Sequence, residues 1–257
     1  MNPFTSGQGY TGPLKAAFNT VLLGAALIAV FWLALSRIGV TFEFSFLPEL
    51  RQRIGEGFLM TVALSLCSLV ISLALGIASA VLHQSRALLL RYLAKLYVLL
   101  IRGTPLIMQV YLFYYIVGTA FGIENRFLCG VLILSVFEGA YISEIIRGSL
   151  LSLDSTQLEA AKAVGFTGKQ TVMLVVLPQL VARTLPALTG QFASIIKDSS
   201  LLSMIAVIEL TQTMREITAI NFKMFECYFL LGALYLALTL PITFVSKWFE
   251  KRFHYEN

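Results

Sequence analysis

The chain has 257 residues, of which 58% are hydrophobic and only 13% are charged, and its formal net charge is +5. A water-soluble domain of this length needs more charge than this to cover its surface, so the composition excludes a soluble globular protein. Long apolar runs recur along the whole length and predict an all-α polytopic membrane protein. The surplus of lysine and arginine is therefore expected in cytoplasmic loops and not at a nucleic-acid surface.

The first apolar segment, residues 16–36, is long enough to cross a bilayer once. No small-residue cleavage pattern follows it, so we expect a retained span and not a signal peptide. Residues 37–57 mix acidic and basic side chains and are expected to form an external connection. In the second predicted span, residues 58–82, small residues such as Ser72 and Gly76 would let a neighbouring helix approach closely.

The next segment, residues 86–102, differs because basic residues are set into an apolar helical pattern. Arg91, Lys95 and Arg102 fall on one side of that helix, which favours an interfacial position at the anionic inner membrane surface. A Gly-Thr-Pro sequence directly after the last of them predicts a break in the helix. Residues 106–121 are then predicted to enter the membrane as the third span.

Three further spans bring the predicted total to six. They are residues 127–146, 187–208 and 227–245, with external connections at residues 122–126 and 209–226. With both termini in the cytoplasm, the inner segments hold twelve lysines and arginines and the outer segments hold six. This two-to-one bias agrees with the positive-inside rule and places the connection between the fourth and fifth spans in the cytoplasm.

That cytoplasmic connection includes residues 155–186, which we call the elbow, and its polarity is mixed. Thr156 and Glu159 have the spacing of a capping box, so a first short helix is predicted over residues 157–164. Gly165 stands where this helix must stop, because glycine readily adopts the positive φ angle common at a helix C-terminus.

Thr167 and Gln170 form a second capping-box pattern, which predicts a second elbow helix that Pro178 ends or bends. The run 165–170 has some likeness to a phosphate-binding loop. It lacks the required first glycine, where Ala163 stands, and a glutamine replaces the hydroxyl residue that would hold magnesium. We therefore do not expect this chain to hydrolyse ATP, and no pattern of catalytic residues or clustered metal ligands indicates an enzyme or a metal site.

Polar residues inside the predicted spans are the candidates for contact with a solute, because ionisable groups there usually face the bundle interior or a cavity. Gln191, Ser194 and Asp198 share one face of the fifth span. Glu138 and Tyr141, three residues apart, share a face of the fourth. We expect the two faces to line a site for a zwitterion, with an acidic side chain meeting its ammonium group.

The charges in these spans also permit a purely structural interpretation. Lys197 can pair with a neighbouring acid, and Glu144 can pair with Arg147 three residues later on the same helix. Side chains paired in this way would stabilise helix packing and would not touch a solute.

Several motifs resemble those of one transporter family. The elbow matches the EAA-loop pattern of binding-protein-dependent ABC import permeases at Glu159, Ala160, Ala161, Gly165, Val175, Leu177 and Pro178. Val175 replaces the usual isoleucine. The runs AYISEIIRG (140–148), RGTP (102–105) and KDSSL (197–201) resemble the polar amino acid branch of that family, of the histidine and glutamine type.

The resemblance implies a fold and a mechanism. The fold is a five-helix permease core at residues 56–252, with an N-terminal tail, an extra span and an external connection at 1–55 and a C-terminal tail at 253–257. The first elbow helix would act as a coupling helix seated in a groove of a cytoplasmic ATPase. The residues implied in coupling are Glu159, Ala160, Ala161, Gly165 and Pro178.

The resemblance also implies partners and a location. The partners are a cytoplasmic ABC ATPase dimer that binds ATP and magnesium, an extracytoplasmic solute-binding protein, and a second permease subunit that is an identical copy or a relative. The chain itself is expected to bind no cofactor and no nucleic acid, and to lie among the lipids of a bacterial cytoplasmic (inner) membrane. The implied function is the permease subunit of an ATP-driven amino acid importer. A self-contained secondary transporter and a non-transporting sensor or scaffold stay open as alternatives.

Overall fold

A computed structural model describes residues 13–39 and 41–252, and the ends of the two predicted cytoplasmic tails, 1–12 and 253–257, lie outside the described residues. Within the described part the chain forms helices and no strand, which confirms the predicted all-α fold. The α-helices are α1 (Pro13–Ile38), α2 (Leu47–His83), α3 (Leu88–Arg102), α4 (Leu106–Leu112), α5 (Arg126–Leu151), α6 (Ser155–Ala163), α7 (Gly168–Thr171), α8 (Leu177–Asp198), α9 (Leu210–Asn221) and α10 (Met224–Arg252). Other helical turns extend three of them: the π-helices Phe113–Gly118 and Val172–Val176 and the 3-10 helix Ser199–Ile205.

Five helical segments of the described chain are long and apolar enough to cross a membrane, and the bent pair of α3 and α4 makes a sixth if it is counted as one span. This number agrees with the prediction. Helix α1 belongs to a first compact unit that ends at Phe44, and the second unit begins at Ser45. At 1.5 Å per residue α1 is about 39 Å long, which exceeds the roughly 30 Å thickness of the hydrocarbon core.

The second unit is built around the pairing of α2 with α5, where small residues bring two backbones together. A β-carbon added at Gly76 would lie 2.5 Å from Cγ2 of Ile142, so only a glycine allows this approach. In the same interface the Ser143 hydroxyl donates to Ser79 Oγ at 2.9 Å. Helix α2 begins well before the predicted span, with Pro48 in its first turn, so part of the predicted external connection is in fact helical.

The chain bends by 107° between α3 and α4, at the Gly-Thr-Pro sequence that predicts a break. The buried Gln109 holds this bend, because its Nε2 donates to the carbonyl of Ile101 at 2.7 Å and to Thr104 Oγ1 at 2.8 Å. The prediction that residues 106–121 cross the membrane alone is wrong. The helical part ends at Gly118, and about 20 Å of helix is too short for a hydrocarbon core of about 30 Å.

The second half of the elbow runs directly into the fifth span. The predicted capping box of Thr167 and Gln170 is present and starts α7, after which the chain stays helical over Gly168–Ile205. The predicted start of the span at residue 187 is therefore wrong, and of the two alternatives for Pro178, a helix end or a bend, the helix end is excluded. The proline stands at the start of α8, just after the π-helical turns Val172–Val176, where the i→i+4 hydrogen-bond pattern is already altered and its missing amide is tolerated.

Residues 209–226, predicted as a loop, contain the helix α9. The buried Glu209 starts this helix by accepting hydrogen bonds from the backbone amides of Thr211 and Gln212, both at 2.8 Å, and from the Tyr235 hydroxyl at 3.0 Å. Burial raises the pKa of Glu209 to about 7, because the ionised carboxylate loses hydration, although these hydrogen bonds oppose the shift. The loop prediction failed because the helix is stabilised by this buried cap and by packing against α2 and α10.

Candidate functional site

The first elbow helix, α6, is capped by Asp154 and not by Thr156. The Asp154 carboxylate accepts a hydrogen bond from the backbone amide of Thr156 at 2.9 Å, and this bond is the main cause that holds its pKa below the usual value. The predicted capping box of Thr156 and Glu159 is therefore wrong, since both residues lie inside the helix. As a result, the exposed carboxylate of Glu159 is not used as a cap.

Helix α6 ends in a turn for which glycine is required. Gly165 has a φ angle of +85°, its amide donates to the Lys162 carbonyl at 3.0 Å, and the amide of Phe166 donates to the Ala161 carbonyl at 3.0 Å. These two bonds form a Schellman motif. A β-carbon at Gly165 would meet nothing within 4 Å, so the requirement is conformational and not steric. The prediction of a helix stop with positive φ is confirmed.

The exposed surface of α6 combines small side chains with polar ones, which include Gln157 and Lys162. Glu159, Ala160 and Ala163 are exposed, and Val164, which follows the helix, is 76% exposed. Ala161 is buried inside the elbow, so its methyl group is not part of this surface. The small side chains next to Glu159, with an isolated apolar side chain at their edge, would let the backbone of α6 approach a groove of another protein closely.

Two long polar side chains of α8 tie the elbow to the fifth span. Gln179 Nε2 donates to Gln157 Oε1 on α6. Arg183 donates to the carbonyl of Ser152, at the end of α5, and to its hydroxyl at 2.8 Å. Neither residue was singled out from the sequence, although a glutamine and an arginine four residues apart on one helix face are an available signal. Through Gln179 a displacement of α6 can reach α8 directly, and Arg183 joins α8 to the end of α5.

Inside the bundle, Glu138, Gln191 and Asp198 come together as the sequence predicts. Glu138 is fully buried on α5, and its Oε2 accepts a hydrogen bond from Gln191 Nε2. The Asp198 carboxyl group lies close enough to Glu138 to interact with it electrostatically. Glu138 Oε1 is buried and has no hydrogen-bond partner in the described part of the chain. Burial without a partner is unfavourable, so this oxygen is available to a donor or a cation that enters the bundle.

The other two predicted solute contacts are placed differently. Ser194 is half-buried on α8, between the two cluster residues of that helix. Tyr141 is not brought into the cluster. Its ring packs against Phe137 with centroids 5.1 Å apart, and the guanidinium carbon of Arg102 lies 5.1 Å from its centroid. A spacing of three residues turns the side chain by about 60° around the helix, which here is enough to direct it to another cleft.

Of the two ion pairs that the sequence permits inside the spans, the pair of Glu144 and Arg147 is present. Arg147 donates to both oxygens of Glu144, at 2.6 and 2.8 Å, and Arg102 Nη1 lies 3.2 Å from the same carboxylate. Lys197, in contrast, is exposed and forms no ion pair with a described residue. Its charge acts on Asp198 only at longer range.

Apolar spans around buried carboxylates, together with an exposed helical elbow, define a membrane transport subunit that works with a partner. The family described as "Binding-protein-dependent transport system inner membrane component" matches residues 72–255, and the chain belongs to this family. It is 34% identical over 199 residues to the glutamine transport system permease protein GlnP of Escherichia coli (strain K12), covering 77% of this chain and 91% of that protein.

One further relative and one solved structure are also amino acid transport proteins by their names. The chain is 34% identical over 201 residues to the L-cystine transport system permease protein TcyB of Bacillus subtilis (strain 168), covering 77% of this chain and 86% of that protein. The solved structure described as "Crystal structure of an amino acid ABC transporter with histidines" is similar with a TM-score of 0.77 and 30% identity, over 83% of this chain and all of that chain.

Family membership confirms the predicted fold and the predicted function as the permease subunit of an ABC importer, in preference to a self-contained secondary transporter. The chain is accordingly a multi-pass protein of the inner membrane. Its transport system depends on a binding protein, as the family description states.

Proposed function

We propose that this chain is the permease subunit of an importer for polar amino acids, with both termini and the elbow in the cytoplasm. The two relatives are named for glutamine and L-cystine transport, and the similar solved structure is named as an amino acid transporter. The observation in this chain that supports a polar amino acid is the fully buried Glu138, whose Oε1 has no partner among the described residues.

In this proposal the ammonium group of the solute binds to a carboxylate cluster formed by Glu138 and Asp198 together with Gln191. Gln191 fixes Oε2 of Glu138, which leaves Oε1 to accept a hydrogen bond from the ammonium group. Asp198, whose carboxyl group interacts with that of Glu138, adds a second acceptor, and Ser194 lies between Gln191 and Asp198 along α8. Two acids around one site favour a cationic or neutral polar amino acid over glutamate, because a second carboxylate on the solute would be repelled.

Glu138→Gln tests this contact, because it keeps the size of the side chain and removes its charge. A hydrogen bond to a charged group contributes about 1.5–3 kcal/mol, so we expect amino acid uptake by the reconstituted complex to fall by roughly 10- to 100-fold. Assembly with the ATPase should change much less. Glu124→Gln, at an exposed external turn, is the matched control and should leave both unchanged. Equal losses of uptake and assembly for Glu138→Gln would make Glu138 a packing residue.

The elbow is proposed to contact a dimer of cytoplasmic ATPases through Glu159, Ala160 and the C-terminal turn of α6. The exposed small side chains and the Schellman turn at Gly165 support this contact. The hydrogen bond from Gln179 to Gln157 then passes the motion of α6 to α8, the same helix that carries Gln191 and Asp198, and Arg183 holds α8 to the end of α5. Hydrolysis of ATP takes place in the partner, and this chain binds no cofactor of its own. A second permease subunit, identical or related, completes the pore.

A further inference from the structure

A cleft between the end of α2 and helices α3 and α5 concentrates basic side chains. Its volume is about 560 Å³, and its polar lining consists of His83, Lys95, Arg102, Tyr141, Glu144 and Arg147. His83 is the last residue of α2, and Arg147 lies about one turn before the end of α5. The cleft is therefore at the elbow end of the bundle, and neither Glu138 of α5 nor any residue of α8 lines it.

Positive charge is in excess in this cleft. One carboxylate, Glu144, is shared by Arg147 and Arg102, whose side chains are each 40% exposed. The ammonium group of Lys95 has no carboxylate partner within the described chain, and its recorded contact is with the ring of Tyr92, 5.8 Å from the centroid. Three cations and one acid therefore line the cleft, and the side chains of all three cations are exposed enough to meet an anion.

The wall of the cleft is apolar and continues onto the outer face of α3. Val98 and Leu99 line the cleft, and Leu99 is 70% exposed. Leu89, Leu93 and Leu96 are exposed along the same helix. A free inorganic anion would make no favourable contact with these leucines. A phospholipid would, because it joins an anionic phosphate to apolar acyl chains. Basic pockets between membrane helices are known binding sites for anionic headgroups.

We propose that this cleft binds the phosphate group of an anionic phospholipid. Lys95, Arg102 and Arg147 surround the phosphate, and the acyl chains lie along the leucines of α3. The bound lipid holds the C-terminal end of α3 at the membrane surface, next to the 107° bend. This site goes beyond the proposed function, because it requires neither the transported solute nor the ATPase.

The test is native mass spectrometry of the purified full chain in detergent, titrated with phosphatidylglycerol or with phosphatidylcholine. We expect binding of phosphatidylglycerol, weakened about fivefold in Lys95→Gln, because one cation near a membrane surface contributes about that factor. The double variant Lys95→Gln with Arg102→Gln should lose more. Arg86→Gln removes an exposed cation that does not line the cleft and should bind like the wild type.

Phosphatidylglycerol binding by the double variant equal to that of the wild type would overturn the proposal, and so would phosphatidylcholine binding as tight as that of phosphatidylglycerol. Inorganic phosphate tests the source of the anion. If phosphate alone binds as tightly as phosphatidylglycerol and displaces it, the lipid assignment is overturned. Lys95→Gln should also unfold at the wild-type temperature without lipid, because no described ion pair is broken, so weaker lipid binding with unchanged unfolding supports the site.

Discussion

Replacement of Gly165 by valine tests whether the backbone conformation of the elbow is required to couple ATP hydrolysis in the partner to solute transport. The φ angle at this position is +85°, and a β-carbon there would meet nothing within 4 Å, so the substitution adds backbone strain and no steric clash. Forcing a residue with a β-carbon into this left-handed region costs about 1–2 kcal/mol. A cost of this size shifts the balance between the native turn and other conformations of the elbow by roughly 5- to 30-fold.

The assay is ATP hydrolysis by the reconstituted complex, measured with and without binding protein and solute. We expect Gly165→Val to lose most of the stimulated activity while the chain still inserts into the membrane. Gly165→Asn should retain more of it, because asparagine tolerates positive φ. Gly168→Val is the matched control, since Gly168 has no positive φ angle and its β-carbon would also meet nothing within 4 Å.

Two results would refute this reasoning. Normal stimulated ATP hydrolysis in Gly165→Val would show that the conformation of the turn does not matter for coupling. An equal loss in Gly165→Val and Gly168→Val would show that added bulk, and not backbone strain, causes the defect.

Two further predictions concern other parts of the chain. Glu159→Lys should uncouple solute from ATP hydrolysis while the spans stay inserted, and normal stimulated activity would argue against contact with the ATPase. The pKa of Glu209 is raised on folding from 4.5 to about 7, so its contribution to the free energy of unfolding is full below about pH 4.5 and declines as the pH rises to about 7. Glu209→Gln should flatten this decline in thermal unfolding of the purified chain, and an unchanged slope across that window would contradict the assignment.

The features that were predicted correctly depend on local chemistry. The apolar spans follow from composition, and the stop at Gly165 follows from the backbone freedom of glycine. The capping box of Thr167 and Gln170 needs only three consecutive peptide units to form. Glu138 and Gln191 were predicted to lie on two helix faces that line one site, because ionisable groups in a membrane usually face the bundle interior, and the hydrogen bond between them brings these faces together.

The features that were missed depend on the surrounding structure. Asp154 and Thr156 are both suitable caps by residue type, and the helix starts at Ser155, so Asp154 takes that place. Pro178 reads as a helix end in sequence, but the π-helical turns before it let the helix continue. Glu209 caps a helix that the charge pattern did not indicate, because its stability comes from buried contacts distant in sequence. Tyr141 lies in another cleft, where its ring contacts the guanidinium group of Arg102 on a different helix.

The most direct test is uptake of radiolabelled glutamine into vesicles that contain this chain assembled with its ATPase, with the binding protein added outside. Uptake should require both ATP and the binding protein, and competition by unlabelled amino acids should rank the solutes that the system accepts. Uptake by the chain alone, without ATPase and ATP, would contradict its assignment as the permease subunit of an ATP-driven importer.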